Sequence, residues 1–319
     1  MLLRDSCRCV FSYERLSRTP AIFRSFTGLD VTEFDSVYEE VESRYEGFER
    51  ERLSGRRRKN EVGGGRPFKL ELEDRLLLLL VYYRLYITST LAGFLFDVDH
   101  STVLRDTHML ELLVRECLPL PKKVQKITRR LRTIEEVEGL FPGLKAFIDS
   151  TEQEIPRPKK DKRKRKTHYS GKKRRHTVKT QLTVNSTGLI VHKTDHARGR
   201  RHDLDLYRRR RPSLPKEVEQ YFDRGYDGVG KHFPDIRCAI PFKRRGRGRG
   251  HGGEKAPDLT PEQKAFNSEL SSERVVVEHT ISRMKKFRIM ADEFRNRLKH
   301  YDVMTDIVSG LVNLRILGR

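Results

Sequence analysis

The chain has 319 residues, enough for two or three domains with a sizeable core. It carries 67 Lys and Arg against 45 Asp and Glu, a net charge of +22 and an isoelectric point near 10.0, which points to a polyanion partner, nucleic acid first. A membrane span is excluded by pattern: the longest apolar run, residues 76–83, is broken by Arg84 and falls far short of the roughly 20 residues a span needs.

The first residues bear Arg4, Asp5 and Arg8 and no long apolar core, so no signal peptide is expected. The four cysteines, Cys7, Cys9, Cys117 and Cys238, form no CxxC pair and no Cys/His zinc spacing. This usage predicts a reduced, intracellular protein, and a DNA partner would make it cytoplasmic and nucleoid-associated.

Residues 16–26 predict an amphipathic helix that stops at Thr27-Gly28, a C-cap signal. A second helix runs from Thr32 to about Phe48, with Phe34, Val37, Tyr38 and Val41 on one side. Residues 51–67 then combine a basic run, Arg56-Arg57-Arg58-Lys59, with Gly63-Gly64-Gly65, and read as a flexible linker that either rides on phosphates or is simply solvated.

An apolar helix over 74–86, a short helix over 89–96, a tight turn at Asp97-Val98-Asp99 and a third helix from His100 to about Glu116 predict a helix-turn-helix. Ser101, Thr102 and Arg105 then lie on the exposed first turns of a recognition helix, as candidate DNA contacts. The turn lacks the usual glycine, and Asp is the residue there that best tolerates the left-handed conformation. A plain helical bundle fits the same pattern; the basic charge favours DNA.

Residues 118–143, with Pro119, Pro121, a basic helix over 122–132 and Phe141-Pro142-Gly143, hold the expected domain boundary. A short strand over 144–148 ends at Asp149. Residues 157–175 contain twelve Lys or Arg in nineteen positions and predict a loop, disordered without DNA, with Lys172 and Lys173 among its backbone contacts. A hairpin follows, 177–185 and 189–193 joined at Ser186-Thr187-Gly188, then a helix from His202-Asp203 to about Arg210. A weak strand over 218–222 ends at Asp223, another covers 236–242, and residues 243–253 form a basic glycine-rich loop. Thr260, Pro261 and Gln263 open a long helix with a capping box, and a final helix spans 302–314.

Arg274, Glu278 and Lys285 fall within roughly 40° of one another on the long helix. Alone they make either a surface ion-pair ladder or a metal-binding carboxylate beside phosphate-holding cations. The order of elements separates the two: a strand with Asp149, a hairpin, a helix, a strand with Asp223 and a helix with Glu278 is the layout of an RNase H-like nuclease. Acids meeting at adjacent strand ends bind two divalent cations for in-line phosphoryl displacement, and hard oxygen donors suit Mg²⁺ or Mn²⁺.

The sequence resembles the DDE transposases of insertion sequences, in particular the family-five group with its DDE superfamily endonuclease domain. The matching stretches are Phe147-Ile148-Asp149-Ser150-Thr151-Glu152, Tyr169-Ser170-Gly171-Lys172-Lys173, His176-Thr177-Val178-Lys179, His202-Asp203-Leu204, Asp223-Arg224-Gly225-Tyr226 and Arg274-x3-Glu278-x6-Lys285. The resemblance implies that Asp149, Asp223 and Glu278 are the catalytic and metal-binding acids. It implies that Arg274 and Lys285 belong to a Tyr-Arg-Glu-Lys signature that contacts element-end DNA. The signature's Tyr falls on Ser271, which leaves hairpin formation open. Asp203 is the alternative second acid, and Asp227 reads as a turn residue.

The implied fold class is α/β, an RNase H-like catalytic domain of mixed sheet flanked by helices, preceded by an all-α helix-turn-helix domain. The segments are 1–66 (helical segment and linker), 67–135 (helix-turn-helix) and 140–319 (catalytic). The implied function is cut-and-paste DNA transposition: binding of terminal inverted repeats as double-stranded DNA, metal-dependent hydrolysis and strand transfer. A homodimer is expected because two ends are joined. A catalytically inactive or domesticated DNA-binding derivative is the alternative. An RNA-binding protein is a weaker rival, since no aromatic-rich RNA platform is present.

Overall fold

The computed structural model describes residues 10–54, 67–159, 161–243 and 258–318. The cysteine pair Cys7-x-Cys9, most of the linker and nearly all of the glycine-rich loop lie outside them. By contact the chain divides into two compact units, one of Met1–Leu120 with Met284–Arg319, the other of Pro121–Arg283.

The first unit is helical. The single helix expected over 16–26 is two, α1 (Tyr13–Ser17) and α2 (Pro20–Thr27), because Pro20 has no amide hydrogen for a preceding turn and opens α2 instead. Gly28, at φ 84°, closes α2 as expected. The helix α3 (Val31–Ser54) buries Phe34, Val37 and Val41 and continues past the expected end into the first residues of the linker. The helix α4 (Leu72–Leu85) is buried from Arg75 through Tyr83. Its leucine run has no polar face because α4 is the central helix, covered on every side. Arg75 is matched there by Asp106 at 3.2 Å, by the Tyr45 hydroxyl at 2.8 Å and by the Phe68 ring at 3.7 Å.

The helices α5 (Ser89–Phe96) and α6 (His100–Cys117) are capped by Thr88 and Asp99. Asp97 between them adopts the left-handed conformation at φ 50°, as expected of an aspartate in this turn. A glycine is nonetheless required one turn earlier. The Val98 amide donates to the Gly93 carbonyl at 2.9 Å, and a Cβ on Gly93 would lie 2.5 Å from the Val98 carbonyl oxygen.

The second unit begins with α7 (Pro121–Thr128), shorter than the basic helix expected over 122–132. Thr133 and Glu136 form a capping box that starts α8 (Ile134–Leu140), a helix absent from the sequence-based expectation. The strand β1 (Lys145–Glu154) then runs for ten residues, so Asp149 sits at its middle rather than at its end. The basic stretch 157–175 is not a loop. It forms α9 (Lys162–His168), capped by Asp161, and a short strand β2 (Tyr169–Ser170). Buried His168 and Ser170 anchor this segment, so its cations project outward from a folded backbone.

The strand β3 (Arg175–Asn185) pairs antiparallel with β1, and Gly188 at φ 88° turns the chain into β4 (Ile190–Lys193). After β5 (Ala197–Arg198) and α10 (Asp203–Arg209), β6 (Glu219–Tyr221) joins β1 in parallel. Gln220 in β6 is buried because the Tyr207 hydroxyl donates to it at 2.6 Å. The helix α11 (Val229–His232) leads to β7 (Cys238–Ala239), the only paired part of the strand expected over 236–242 among the described residues. The sheet order is β2-β3-β1-β6-β7, with β4 and β5 also paired to β3. The helix α12 (Pro261–Lys285) has the expected box: the Thr260 amide donates to Gln263 Oε1 at 3.1 Å and the Gln263 amide to Thr260 Oγ1 at 3.2 Å.

The chain then returns to the first unit through α13 (Arg288–Ala291) and α14 (Tyr301–Leu317). A Cβ on Gly310 would stand 2.8 Å from Leu118 Cβ, and Asp306 pairs with Arg115 at 2.7 Å. The last 36 residues, expected as the end of a catalytic domain over 140–319, therefore pack with the N-terminal helices.

Candidate active site

The pleat of β1 sorts its side chains onto two faces. Ile148 joins a core with Tyr207, Phe222, Tyr226 and Val229. On the opposite face, Lys145 pairs with Glu273 at 3.0 Å and Asp149 with Arg274 at 3.4 Å, both on α12. Strand β6 follows the same alternation: Tyr221 packs on Phe147 with ring centroids 5.1 Å apart, while Phe222 packs on Tyr207. The parallel register aligns Lys145 with Glu219 and Phe147 with Tyr221. Asp223 follows the end of β6, two residues past the last aligned pair, and lies near enough to Asp149 to act on it electrostatically.

Each carboxylate is held by its own loop. Asp149 Oδ1 accepts from the Ser150 amide at 2.7 Å, and Asp223 Oδ1 accepts from the Gly225 amide at 2.9 Å. A Cβ on Gly225 would fall 2.9 Å from Asp203 Oδ2 and 3.0 Å from Asp223 Oδ1, so Asp203 belongs to the same cluster. Burial pushes the Asp149 carboxyl up to about 6; Arg274 and the Ser150 amide oppose this, and Asp223 and Asp203 add to it. The Tyr226 hydroxyl beneath them is raised well above its ordinary value by burial and by the field of the same three acids.

Asp203 is tied to Lys179, whose buried Nζ also donates to the Arg201 carbonyl and faces Glu152 at 3.5 Å. Lys179 and Glu152 lie in stretches that carry the family resemblance, but nothing in the sequence marks them as a pair. They meet because β1 and β3 align residue 152 with 179.

Glu278 lies one helical turn beyond Arg274 and is exposed, while Leu270, Arg274, Val277 and Met284 form the buried stripe of α12. Among the described residues, the group of three whose ligand atoms lie within 4.8 Å of one another is His108, Glu111 and His300, not the acid triad. Like charges repel, and Arg274 engages one oxygen of Asp149. Lys285 is the last residue of α12, and Ser271 is exposed on its surface.

Ser101, Thr102 and Arg105 occupy the first turns of α6, where Arg105 donates to the Ser101 carbonyl and to Thr102 Oγ1. Lys172 and Lys173 are exposed in the turn between β2 and β3. Beside them, Arg157, Lys162, Arg165, Lys166 and Arg200 line a groove of about 890 Å³ with Tyr169 and His176.

Residues 148–313 match the family model of the DDE superfamily endonuclease, and residues 68–120 match that of the helix-turn-helix of DDE superfamily endonuclease. A probable transposase for insertion sequence element IS702, from Microchaete diplosiphon, is 30% identical over 261 residues, covering 81% of this chain and 86% of that protein. The chain belongs to the insertion-sequence DDE transposases. No solved structure matches it at a significant level.

The transposase thus joins a helix-turn-helix domain to an RNase H-like endonuclease domain, as its sequence leads one to expect. It is a nuclease-type enzyme of a superfamily that uses divalent metals, and its domains make DNA its partner. Among the described residues no helix is long and apolar enough to cross a membrane. The helix-turn-helix match ends at Leu120, the limit of the first compact segment, whereas the endonuclease match runs on into α14.

Proposed function

We propose that this transposase cuts DNA at the terminal inverted repeats of its element and transfers the freed 3′-OH ends to a target. The observation that carries the reading is that Asp149 of β1, paired with Arg274 of the helix that also bears Glu278, feels the charge of Asp223, which lies just past the end of the neighbouring parallel strand β6. Asp149, Asp223 and Glu278 would hold the divalent cations, Mg²⁺ or Mn²⁺. The donor set fits, because all three supply hard oxygens and an acid raised to about 6 by burial gains from an added positive charge. Cations held there would supply charge to the attacking and leaving oxygens of an in-line displacement.

The remaining work falls to the chain. The Gly225 amide fixes the Asp223 carboxylate and the Ser150 amide fixes that of Asp149. Arg274 keeps Asp149 in place through one terminal nitrogen, and its buried Nε, which has no hydrogen-bond partner, is a donor left for a phosphate oxygen. Lys285, Lys172 and Lys173 would hold the DNA backbone, and Ser101, Thr102 and Arg105 would read the repeat from α6. No Ser or Tyr nucleophile is required. Joining two ends calls for a homodimer.

The test is cleavage of a duplex carrying the element's terminal repeat, with Mg²⁺ added. Asp149→Ala, Asp223→Ala and Glu278→Ala should each reduce cutting by at least about 10³-fold while leaving gel-shift affinity within about threefold. Wild-type protein that shifts the repeat but never cuts it would instead establish a silent DNA-binding derivative.

A further inference from the structure

We propose that His108, Glu111 and His300 form a binding site for a first-row transition cation, zinc being the best fit, within the helical unit. His108 and Glu111 stand three residues apart on α6, and His300 ends the turn that precedes α14. Their three ligand atoms lie within 4.8 Å of one another, and His108 Nδ1 is 3.3 Å from Glu111 Oε2. The two imidazoles stack, with centroids 4.3 Å apart and planes 9° from parallel, so one partly exposed ring must turn for both to direct an in-plane nitrogen at a shared ion.

Charge favours a cation over plain hydrogen bonding. Glu111 is 2% exposed, and a carboxylate so buried needs a positive partner. Among the described residues its one ion-pair partner is His108. Neutral imidazoles supply no charge, protonating both would place two like charges face to face, and protonating His108 alone, which satisfies Glu111 without a metal, is the competing arrangement that the zinc titration decides. A divalent cation supplies the charge while both rings stay neutral, which is the form that ligates metal.

The donor set also selects the ion. Two imidazoles and a carboxylate suit zinc, whereas Mg²⁺ prefers all-oxygen surroundings. The other oxygen of Glu111 accepts from the buried Tyr83 hydroxyl at 3.0 Å, an outer contact of the kind that orients a ligating carboxylate. Bound there, the ion would pin α6, the helix that carries Ser101, Thr102 and Arg105, to the start of α14. The site shares no residue with the acid cluster and does not rest on its chemistry.

The test uses the full chain stripped with EDTA. Zn²⁺ binding is measured by calorimetry and metal content, and Co²⁺ by its visible absorption, in wild type, His108→Gln, His300→Gln and Glu111→Gln. Wild type should bind one equivalent of Zn²⁺ that survives millimolar Mg²⁺, and Zn²⁺ should raise its Tm by about 5 °C. Each histidine variant should bind that equivalent at least about 100-fold more weakly and lose the Tm rise, while Asp149→Ala keeps both. Both histidines are partly exposed, so their variants report on binding even where Glu111→Gln fails to fold. Zinc binding equal in wild type and both histidine variants, or no zinc bound by wild type at about 10 µM, overturns the proposal.

Discussion

Asp149 should destabilise the fold that holds it. Its carboxyl is shifted by burial from an ordinary 3.8 to about 6, net of the opposing pull of Arg274. At 1.36 kcal/mol per tenfold change, ionising it inside the native protein costs about 3 kcal/mol. The side chain keeps 21% exposure, and solvent screening lowers this to about 1–2 kcal/mol. Between pH 3.8 and 6 the native state holds a proton that the unfolded chain has lost. The stabilisation is therefore complete below pH 3.8 and is lost as the pH rises through 6. Asp149→Asn mimics the protonated acid. In EDTA at pH 7.5 it should be more stable than wild type by about 1–2 kcal/mol, and the two should converge near pH 4. Urea unfolding followed by circular dichroism measures the difference. Millimolar Mg²⁺ should narrow it by stabilising wild type alone. An Asn variant no more stable than wild type at pH 7.5 would refute the burial argument.

Two further substitutions probe the scaffold. Gly93→Ala drives a methyl group to 2.5 Å from the Val98 carbonyl and should lower stability by about 2–4 kcal/mol, with loss of duplex binding in a gel shift. Lys179→Met leaves Glu152 and Asp203 facing each other without their cation and should cost about 3–5 kcal/mol of unfolding free energy in urea; a cost below about 1 kcal/mol would mean that solvent reaches the network.

Elements with local causes were legible from the sequence alone. Ser89–Phe96 begins and ends where expected, since Thr88 caps one end and Asp97 tolerates the left-handed turn at the other. The Thr260-Pro261-Gln263 start of α12 and the Ser186-Thr187-Gly188 turn hold for the same reason. Where the cause is a distant neighbour, expectation failed. The basic stretch after β1 looks too charged to fold, yet it packs through His168 and Ser170. Asp149 looks like a strand end because polar residues follow it, but β3 keeps Ser150–Glu154 paired. The strand over 236–242 shrinks to two residues, since only Cys238 and Ala239 find a partner in β6.

The order of motifs along the chain determined the family and nominated a recognition helix and three acids, because spacing and residue chemistry are properties of the sequence itself. The tertiary structure alone decided which charges meet. Strand register set Glu152 beside Lys179, the fold brought Asp223 within electrostatic reach of Asp149, and packing of α12 on that face brought Arg274 to Asp149 across 125 positions of chain. It also carried His300 to His108 and Glu111. Coulomb energy and metal ligation depend on separations of a few ångströms, and residues far apart in the chain acquire those separations only when the fold closes.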